Sequence, residues 1–406
     1  GVSDRDLDLV VYGATGFAGR LVAEHVARHA PRDLRVGLGG RSVPRLYEAR
    51  AHLPGRGQTW GFVVADATDP VAVATLARSA RVVATTVGPY TRYGAALAAA
   101  CAAAGTHYVD LTGEVLFMRH SIEANDATAR RTGAAIVHAC GFDSVPSDLG
   151  LWSLHRHAMA TGAGELTRVT GLLTGARGGF SGGTIDSMRV QIEEAATNPE
   201  VRRIVTDPHA LDVGATGVAR PGPRDSFGVA WDAGLGYWLA PFVMAPVNTR
   251  VVRRSHALLG GAYGAGFRYR EAVGVRGRLR GVGPALAVAA GTLGLFAGMS
   301  WPPTRRILDR LLPAPGAGPS ERTRRRGYFR FRHVAETTSG RVLTARVGAD
   351  LDPGYGATAV MLGEAAMTLA AGEGTGRAGA LTSATALGDA LVERLRAAGF
   401  HWEVTG

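Results

Sequence analysis

The stretch Gly13-Ala14-Thr15-Gly16-Phe17-Ala18-Gly19 decides the fold of this chain because of its neighbours. It follows the short apolar, β-rich run LDLVVY at residues 7–12, and it precedes apolar residues at helical spacing over 21–26. A buried strand, a glycine turn and a helix in direct succession are typical of a dinucleotide-binding domain, whose phosphates lie at the start of the helix. We therefore predict a dinucleotide site here, with a purely structural glycine turn as the alternative.

Strand and helix continue to alternate outward from this turn through residue 148. The predicted strands lie at 7–12, 34–39, 61–64, 82–86, around Tyr108 and at 134–139. The predicted helices that follow the first βα unit lie at 70–78, 94–104 and 122–132. Six strands joined by helical crossovers predict an α/β fold with a doubly wound Rossmann domain over residues 1–148.

The regular alternation fails from about residue 149. Strand-like segments at 168–173, 328–336 and 341–347 mix with helical segments at 184–196 and 355–369. We therefore predict a second, α+β domain over residues 149–375 that binds substrate and forms a homodimer. The last helix, 386–396, is expected to return to the Rossmann domain within a C-terminal segment 376–406.

The residues after the second strand indicate which dinucleotide binds. A site that prefers NAD usually has Asp or Glu there, which accepts a hydrogen bond from the ribose 2′-hydroxyl group. This sequence has Gly40-Arg41-Ser42 instead. Arg41 and Ser42 suit a 2′-phosphate, since a guanidinium group binds two phosphate oxygens at once, so we expect NADP rather than NAD.

The composition excludes several chemistries. The chain has no lysine, and all 45 basic residues are arginine, which excludes a Schiff-base lysine, a lysine general acid and a Walker A site. The two cysteines, Cys101 and Cys140, are far apart and match no metal-ligand spacing, so we expect no metal and a reducing, cytoplasmic setting. The first residues lack the pattern of a secretory signal.

Basic charge is concentrated in one part of the chain. The net charge is +11, and residues 250–332 contain 17 arginines against three acids, Glu271, Asp309 and Glu321. Because no nucleic-acid-binding motif accompanies this charge, we expect no nucleic-acid partner. Two interpretations stay open: an anionic partner, such as a membrane surface or an acidic carrier protein, or a solvated arginine-rich face.

An apolar stretch, Gly281–Trp301, lies inside this basic part. Its length of about twenty residues would suffice to cross a bilayer. It is rich in alanine and glycine, contains Pro284 and has arginines on both flanks, so the distribution of positive charge gives no direction of insertion. A spanning helix, a hairpin on the membrane surface and an internal helix are the three alternatives, and the second predicts a peripheral membrane contact.

Ligands of open parallel sheets bind at the carboxyl ends of the strands. At those ends the sequence places four polar segments: Asp66-Ala67, 86–90 (TVGPY), 110–114 (DLTGE) and 140–144 (CGFDS). These segments are the predicted walls of the cofactor and substrate site.

A glycine-rich stretch at 179–183 (GFSGG) matches the G-x-S-x-G pattern of serine hydrolases. That pattern needs a sharp strand-to-helix turn, whereas the density of glycine here predicts a loop. Together with Thr184 and Asp186, this loop is expected either to line the substrate cleft opposite the nicotinamide or only to cap a helix.

Five motifs in order resemble the saccharopine dehydrogenase-like NAD(P)-binding family: GATGFAG at 13–19, GGRS at 39–42, TTVGPY at 85–90, YVDLTGE at 108–114 and CGFDSVPSDLG at 140–150. Three later motifs resemble its subgroup of trans-acting enoyl reductases, which serve polyketide synthases that make complex lipids: SGGTIDSM at 181–188, APVNTRVVRRS at 245–255 and ATALGDAL at 384–391. One departure is residues 380–383 (ALTS), where relatives commonly have a glycine pair and a proline.

The resemblance also implies which residues hold the cofactor. It implies direct contacts at Gly13, Thr15, Gly16, Phe17, Gly19, Arg41 and Ser42. It further implies that Asp66 and Ala67 lie near the adenine, and that Gly88, Pro89 and Tyr90 lie beside the nicotinamide ribose.

The reaction that the resemblance implies is hydride transfer from NADPH to the β-carbon of an α,β-unsaturated acyl thioester. The resulting enolate needs hydrogen-bond donors at its oxygen and a proton at its α-carbon. Because lysine is absent, we expect Tyr90 to supply the proton, followed by Asp143 and Asp186, with Asp110 and Glu114 as further candidates. Each has a structural alternative, since Tyr90 can pack on the cofactor and Asp143 can cap a helix.

Two rival functions remain open. An imine-forming or imine-reducing amino-acid dehydrogenase, like saccharopine dehydrogenase, would need arginines that converge on a dicarboxylate. A non-catalytic scaffold at a membrane or an assembly line would bind NADPH without oxidising it.

Overall fold

The structure is a computed structural model that describes residues 5–178, 181–214, 225–314 and 317–406. Within these ranges the chain forms two seven-stranded sheets. The strands are β1 Leu7–Tyr12, β2 Val36–Gly40, β3 Gly61–Val64, β4 Ala80–Thr85, β5 His107–Asp110, β6 Ala135–Val137, β7 Leu166–Arg177, β8 Ala230–Asp232, β9 Tyr237–Ala240, β10 Arg268–Arg276, β11 Tyr328–Thr337, β12 Val342–Ala349, β13 Gly379–Leu381 and β14 His401–Thr405. The α-helices are α1 Phe17–His29, α2 Val43–Ala51, α3 Pro70–Ser79, α4 Tyr90–Tyr93, α5 Ala95–Ala104, α6 Val115–Thr132, α7 Val145–Thr161, α8 Gly182–Thr197, α9 Pro199–Thr206, α10 Ala245–Leu258, α11 Val282–Ser300, α12 Pro302–Leu311, α13 Glu321–Arg325, α14 Thr358–Ala370 and α15 Ser383–Ala397.

The first sheet is parallel throughout, with strand order β13-β6-β5-β4-β1-β2-β3. The adjacent strands β1 and β4 are almost wholly buried, as expected of a sheet with helices on both faces. The strand order reverses beside β1, so the carboxyl ends of β1 and β4, at Tyr12 and Thr85, border the crevice where such sheets bind ligands. This sheet, with a second mixed sheet beside it, confirms the predicted α/β fold with a Rossmann domain.

The first sheet has one strand more than the six predicted. β13 is only three residues long, too short for a periodicity signal, and it pairs with β6 from the far end of the sequence. Helix α14 also packs on this sheet, against α1, β1 and β4, and His25 Nε2 lies 2.7 Å from Glu364 Oε2 between α1 and α14. The range of α14 falls inside residues 149–375, and the predicted domain limits at 148 and 375 stay a prediction.

The second sheet is mixed, with strand order β14-β12-β11-β7-β10-β9-β8. β7 is its longest strand and pairs with β11 in antiparallel and with β10 in parallel orientation. The predicted last helix, 386–396, lies inside α15, which connects β13 of the first sheet to β14 of the second. Residues 379–405 therefore take part in both sheets.

The arginine-rich stretch is not simply a solvated face. Arg250, Arg253 and Arg254 on α10 are buried. Arg250 lies 3.0 Å from the Asp225 carboxylate, and Arg254 donates to the carbonyl oxygens of Leu211 and, in β13, Ala380. The motif at 245–255 thus holds the segment around 205–213 and strand β13 in place, which local sequence could not reveal.

One described helix, α11, is long and apolar enough to cross a membrane by length and composition. It corresponds to the predicted apolar stretch and packs against α8, α12, β9 and β10. Most of its surface is exposed, which argues against the alternative of an internal helix.

Candidate active site

The glycine turn after β1 forms one end of a cavity of about 610 Å³ at the crevice of the first sheet. Gly13 has φ +88°, a conformation that L side chains rarely adopt. A Cβ atom at Gly19 would overlap the carbonyl oxygen of Gly13, so only glycine lets α1 approach the turn this closely. At Gly16 a Cβ atom would meet only ordinary contact from the protein, which leaves its open side facing the cavity. The amides at the start of α1 are oriented for phosphate binding.

Two guanidinium groups stand where β2 ends. Arg41 and Arg45 are exposed and line the cavity, and neither has an ion-pair partner within the described ranges. Across the cavity mouth, Asp66 accepts hydrogen bonds from the Thr68 amide and hydroxyl groups, which lower the pKa of its carboxyl group. The donor set fits a dinucleotide that carries a 2′-phosphate.

The opposite end of the cavity is formed by the segment after β4. Gly88 and Tyr90 line it, and the side chain of Glu114 holds the segment in place. The buried Glu114 carboxylate accepts hydrogen bonds from the amides of Tyr90 at 2.8 Å and Thr91 at 3.1 Å. It also accepts one from Ser187 of α8 at 3.0 Å, so Glu114 ties the first sheet to the opposite wall.

The hydroxyl group of Tyr90 already has two partners inside the protein. It donates to the carbonyl oxygen of Thr85 at 3.0 Å and accepts from the amide of Leu111 at 3.2 Å. Burial raises the pKa of this hydroxyl group well above its usual value. This geometry favours a positioning role for Tyr90 over proton donation to a substrate.

Asp110 lies beneath the cavity rather than in it. Its fully buried carboxylate accepts hydrogen bonds from the Tyr108 hydroxyl group and from the amides of Thr112 and Ala139, and it contacts His138 Nδ1 at 2.7 Å. With all these bonds made, Asp110 fastens the ends of β5 and β6 together.

Asp143 is a buried carboxyl group that lines the cavity. Its side chain lies near Gly113, where a Cβ atom would come within 3.2 Å of Asp143 Oδ2. Burial raises the pKa of its carboxyl group to about 7, and no hydrogen-bond partner for that group occurs among the described residues. A carboxyl group that is half protonated near neutral pH, with a free face toward a cavity, can act as a general acid.

Helix α8 forms the wall opposite the cofactor turn through one face, Thr184, Ser187, Met188 and Gln191. Asp186 also lines the cavity and lies 3.4 Å from Arg189. The Oε1 atom of Gln191 is buried without a hydrogen-bond partner in the described part of the chain. An unpaired amide oxygen beside a cavity can be satisfied by a polar atom of a ligand.

Ser181, the serine of the hydrolase-like pattern, caps α8. Its hydroxyl group accepts from the Thr184 amide at 3.0 Å and lies 2.8 Å from Thr184 Oγ1. Residues 179 and 180 of that pattern lie outside the described residues. Ser181 thus begins the helix and also lines the cavity, while the part of this segment in substrate binding stays a prediction.

Residues near the second sheet, Tyr355 after β12 and Arg324 of α13, pack against Phe17 of the glycine turn. Phe17 packs edge-on against Tyr355 with ring centroids 4.8 Å apart, and the Arg324 guanidinium group lies 5.2 Å from the Phe17 ring. Tyr355 donates to the carbonyl oxygen of Ala317 and accepts from the amide of Gly182. A second cavity of about 160 Å³ adjoins here, and its walls include Asp143 and apolar side chains such as Phe142, Leu173 and Phe242.

Most of the predicted site residues meet in this one cavity. Its lining includes Gly13, Thr15, Gly16, Phe17, Gly19, Arg41, Asp66, Ala67, Gly88, Tyr90, Asp143 and Asp186. Ser42 and Pro89 are not among the lining residues; they directly precede α2 and α4. The sequence prediction missed Arg45 and Gln191, although Thr184, Ser187, Met188 and Gln191 follow helical spacing and gave a usable signal.

The chain is similar to known proteins over nearly its whole length. Residues 9–137 match the family described as saccharopine dehydrogenase NADP binding domain. A protein of Mycobacterium tuberculosis, provisionally named a trans-acting enoyl reductase, is 47% identical over 414 residues, which cover 99% of this chain and 98% of the relative. A trans-acting enoyl reductase of Mycobacterium bovis is 41% identical over 415 residues, covering 98% of this chain and 97% of the relative. Saccharopine dehydrogenase (L-Glu forming) of Saccharomyces cerevisiae, a solved structure, aligns with a TM-score of 0.48 and 12% identity over 98% of this chain and 99% of that chain.

Proposed function

We propose that this chain, which belongs to the family of trans-acting enoyl reductases, reduces the carbon–carbon double bond of an α,β-unsaturated acyl thioester. The family membership confirms the resemblance predicted from the motifs, and the matched NADP-binding domain confirms NADP as the cofactor of an oxidoreductase. The substrate, the reacting residues and the partner are the proposal. The name of the relatives leads us to expect a separate polyketide synthase as the source of the thioester.

The observation that carries the proposal is the chemistry of the cavity beyond Gly88. The described residues that line this end include Leu111, Val243, Met244, Val247 and Phe296, together with Asp143 and Asp186. No arginine is among them; the two lining arginines stand at the end of β2. A dicarboxylate amino acid would meet two acids and no cation there, whereas an acyl chain would meet apolar side chains. This contrast favours the enoyl reductase over the imine dehydrogenase.

The chain's own groups would hold the cofactor at its two phosphate-bearing parts. The glycine turn and the start of α1 bind the pyrophosphate, and Arg41 and Arg45 bind the 2′-phosphate. When bound, NADPH supplies a hydride at the nicotinamide ring. Glu114 holds the segment after β4 through the Tyr90 amide, and Phe17 packs on Tyr355 beside the glycine turn, so both walls of the cavity are fixed within the protein.

Asp143 supplies the proton in this proposal. As the hydride adds to the β-carbon, the electron pair of the double bond moves toward the α-carbon and the thioester oxygen. The protonated Asp143 carboxyl group then donates its proton to the α-carbon and becomes a carboxylate, which takes up a proton from water after product release. Its pKa of about 7 makes the acid form available at neutral pH.

Gln191 is the proposed hydrogen-bond donor to the thioester oxygen. Its amide lies in the cavity wall with Oε1 unpaired in the described part of the chain, and a rotation of the amide by 180° presents either Oε1 or Nε2 at the same position. Donation from Nε2 would stabilise the negative charge that develops on the oxygen. Tyr90 and Glu114 act as positioning residues that hold the segment after β4.

The test is NADPH oxidation by the purified chain with a trans-2-enoyl thioester, while NADP+ reduction with saccharopine is measured in parallel. We expect turnover of the enoyl thioester only. Asp143→Asn should lower kcat at least 100-fold with little change in the Kd of NADPH, while the control Asp69→Asn, at the exposed start of α3, should behave as wild type. Turnover of saccharopine, or an Asp143→Asn variant with normal kcat, would overturn the proposal; NADPH binding without turnover of free or carrier-bound enoyl thioesters would instead identify a scaffold.

A further inference from the structure

Helix α11 is apolar on the face that it exposes as well as on the face that it buries. A narrow stripe, Ala285, Ala289, Thr292, Phe296 and Met299, is turned toward the protein. The remaining positions are largely exposed, including Leu286 at 55% and Leu293 at 48%. A helix that is hydrophobic all round is normally covered on every side, so the broad exposed face needs an occupant.

The sheet topology excludes a single crossing of a bilayer by α11. β10 precedes α11 and β11 follows it, and both strands are hydrogen-bonded to β7 on either side. Both ends of the connection therefore lie on one side of any membrane. The following helix α12 has ten residues, about 15 Å, and carries charged side chains, so it cannot provide the return crossing.

Helix α12 continues the exposed surface and fastens it to the active-site wall. Ile307 and Leu311 are exposed at 59% and 75%. On the other side, Asp309 pairs with Arg189 of α8 at 2.7 Å, and Arg305 pairs with Glu193 of α8 at 2.7 Å. Two ion pairs thus join the hairpin of α11 and α12 to the helix that lines the cavity.

Positive charge surrounds this apolar surface. Arg278 and Arg280 stand before α11, and Arg306 and Arg310 lie on α12. All four are exposed, and none has an ion-pair partner in the parts of the chain that the structure describes. Trp301, exposed at 61%, lies at the turn between the two helices. Apolar side chains, arginines and tryptophan on one surface are the pattern of helices that lie in the interface of an anionic bilayer.

We propose that the α11–α12 hairpin binds the surface of a membrane that contains anionic lipids, with α11 lying in the plane of the interface. The exposed apolar face enters the boundary between head groups and acyl chains, and the four arginines bind lipid phosphates. Phe296 links this surface to function, because its side chain lies on the buried stripe of α11 and also lines the cavity. The membrane contact itself does not depend on the proposed function.

The test is co-sedimentation of the full chain with phosphatidylcholine vesicles that contain or lack 30% phosphatidylglycerol. We expect binding to the anionic vesicles that weakens at high salt, with at least tenfold weaker binding to the neutral ones. Leu286→Glu/Leu293→Glu should reduce vesicle binding at least tenfold, while Met159→Glu, which changes an exposed apolar residue at the end of α7, should not.

The Kd of NADPH, measured on the same samples, reports that each variant is folded. Binding to vesicles with no loss in the double variant would overturn the proposal, as would the absence of binding to anionic vesicles. If the wild type forms a dimer that the double variant separates, and neither binds vesicles, the face belongs to a second copy of the chain. Because no turnover is measured, failure here is distinct from failure of the reductase proposal.

Discussion

Replacing Arg41 and Arg45 with alanine removes the two guanidinium groups that border the cavity where β2 ends. A hydrogen bond to a charged group contributes roughly 1.5–3 kcal/mol when it is shielded from water. Both side chains are exposed, so we take about 1 kcal/mol for each, which corresponds to about a fivefold change in Kd per arginine. The double variant should therefore bind NADPH about 30-fold more weakly, while the Kd of NADH, which has no 2′-phosphate, should change less than about twofold.

The assay is fluorescence titration of NADPH and NADH into wild type, Arg41→Ala/Arg45→Ala and the control Arg78→Ala. Arg78 is an exposed arginine on α3 outside the cavity, so its removal changes the net charge without removing a phosphate contact. The reasoning is refuted if NADH and NADPH weaken by the same factor in the double variant, since the effect would then be a general loss of structure. It is equally refuted if the Kd of NADPH is unchanged.

Three further outcomes follow from the structure. The kcat for enoyl reduction should fall about tenfold per pH unit above about 7, because the raised pKa of Asp143 leaves ever less of the acid form; a flat profile from pH 6 to 9 would contradict this. Gly19→Ala should lower the melting temperature and abolish NADPH binding, at a cost of about 1–3 kcal/mol of stability, whereas Gly16→Ala should keep the melting temperature and lose NADPH affinity alone. Asp148→Asn should destabilise the fold by about 2–3 kcal/mol in urea unfolding, because Asp148 accepts two hydrogen bonds from the first residues of α15 and one from Ser255 near the end of α10; exposed Asp389→Asn should change stability by less than about 0.5 kcal/mol.

The first βα unit was predictable because its signals are local. The apolar run, the glycine turn and the helical spacing occur within about twenty consecutive residues. β1 covers the predicted residues 7–12, and α1 begins at Phe17, inside the glycine stretch and just before the apolar residues at helical spacing. Strand β13 gave no such signal, since it owes its strand conformation to pairing with β6 across some 240 residues of chain. The buried arginines of α10 were unpredictable for a related reason: their partners are carbonyl oxygens that come from distant segments.

In the candidate site, too, the sequence predicted which residues meet but not which atoms would be hydrogen-bonded. The sequence indicated that Tyr90 and Asp143 both follow strands whose ends meet at the crevice. It could not indicate that the amide of Leu111 would occupy the Tyr90 hydroxyl group, or that Asp143 would keep a free face. Gln191 was predictable in principle, because it continues the helical face of Thr184 and Ser187.

The passage of residues 379–405 through both sheets has a consequence for how this molecule is made. β13 supplies an edge strand of the first sheet and β14 an edge strand of the second, and both are among the last parts of the described chain to leave the ribosome. Until then β6 and β12 are edge strands with unpaired backbone groups, so the nascent protein exposes two strand edges that can pair with other chains. The cofactor-binding half therefore cannot be transferred to another protein as residues 1–148 alone. A chimera needs β13 as well, because this strand completes the first sheet.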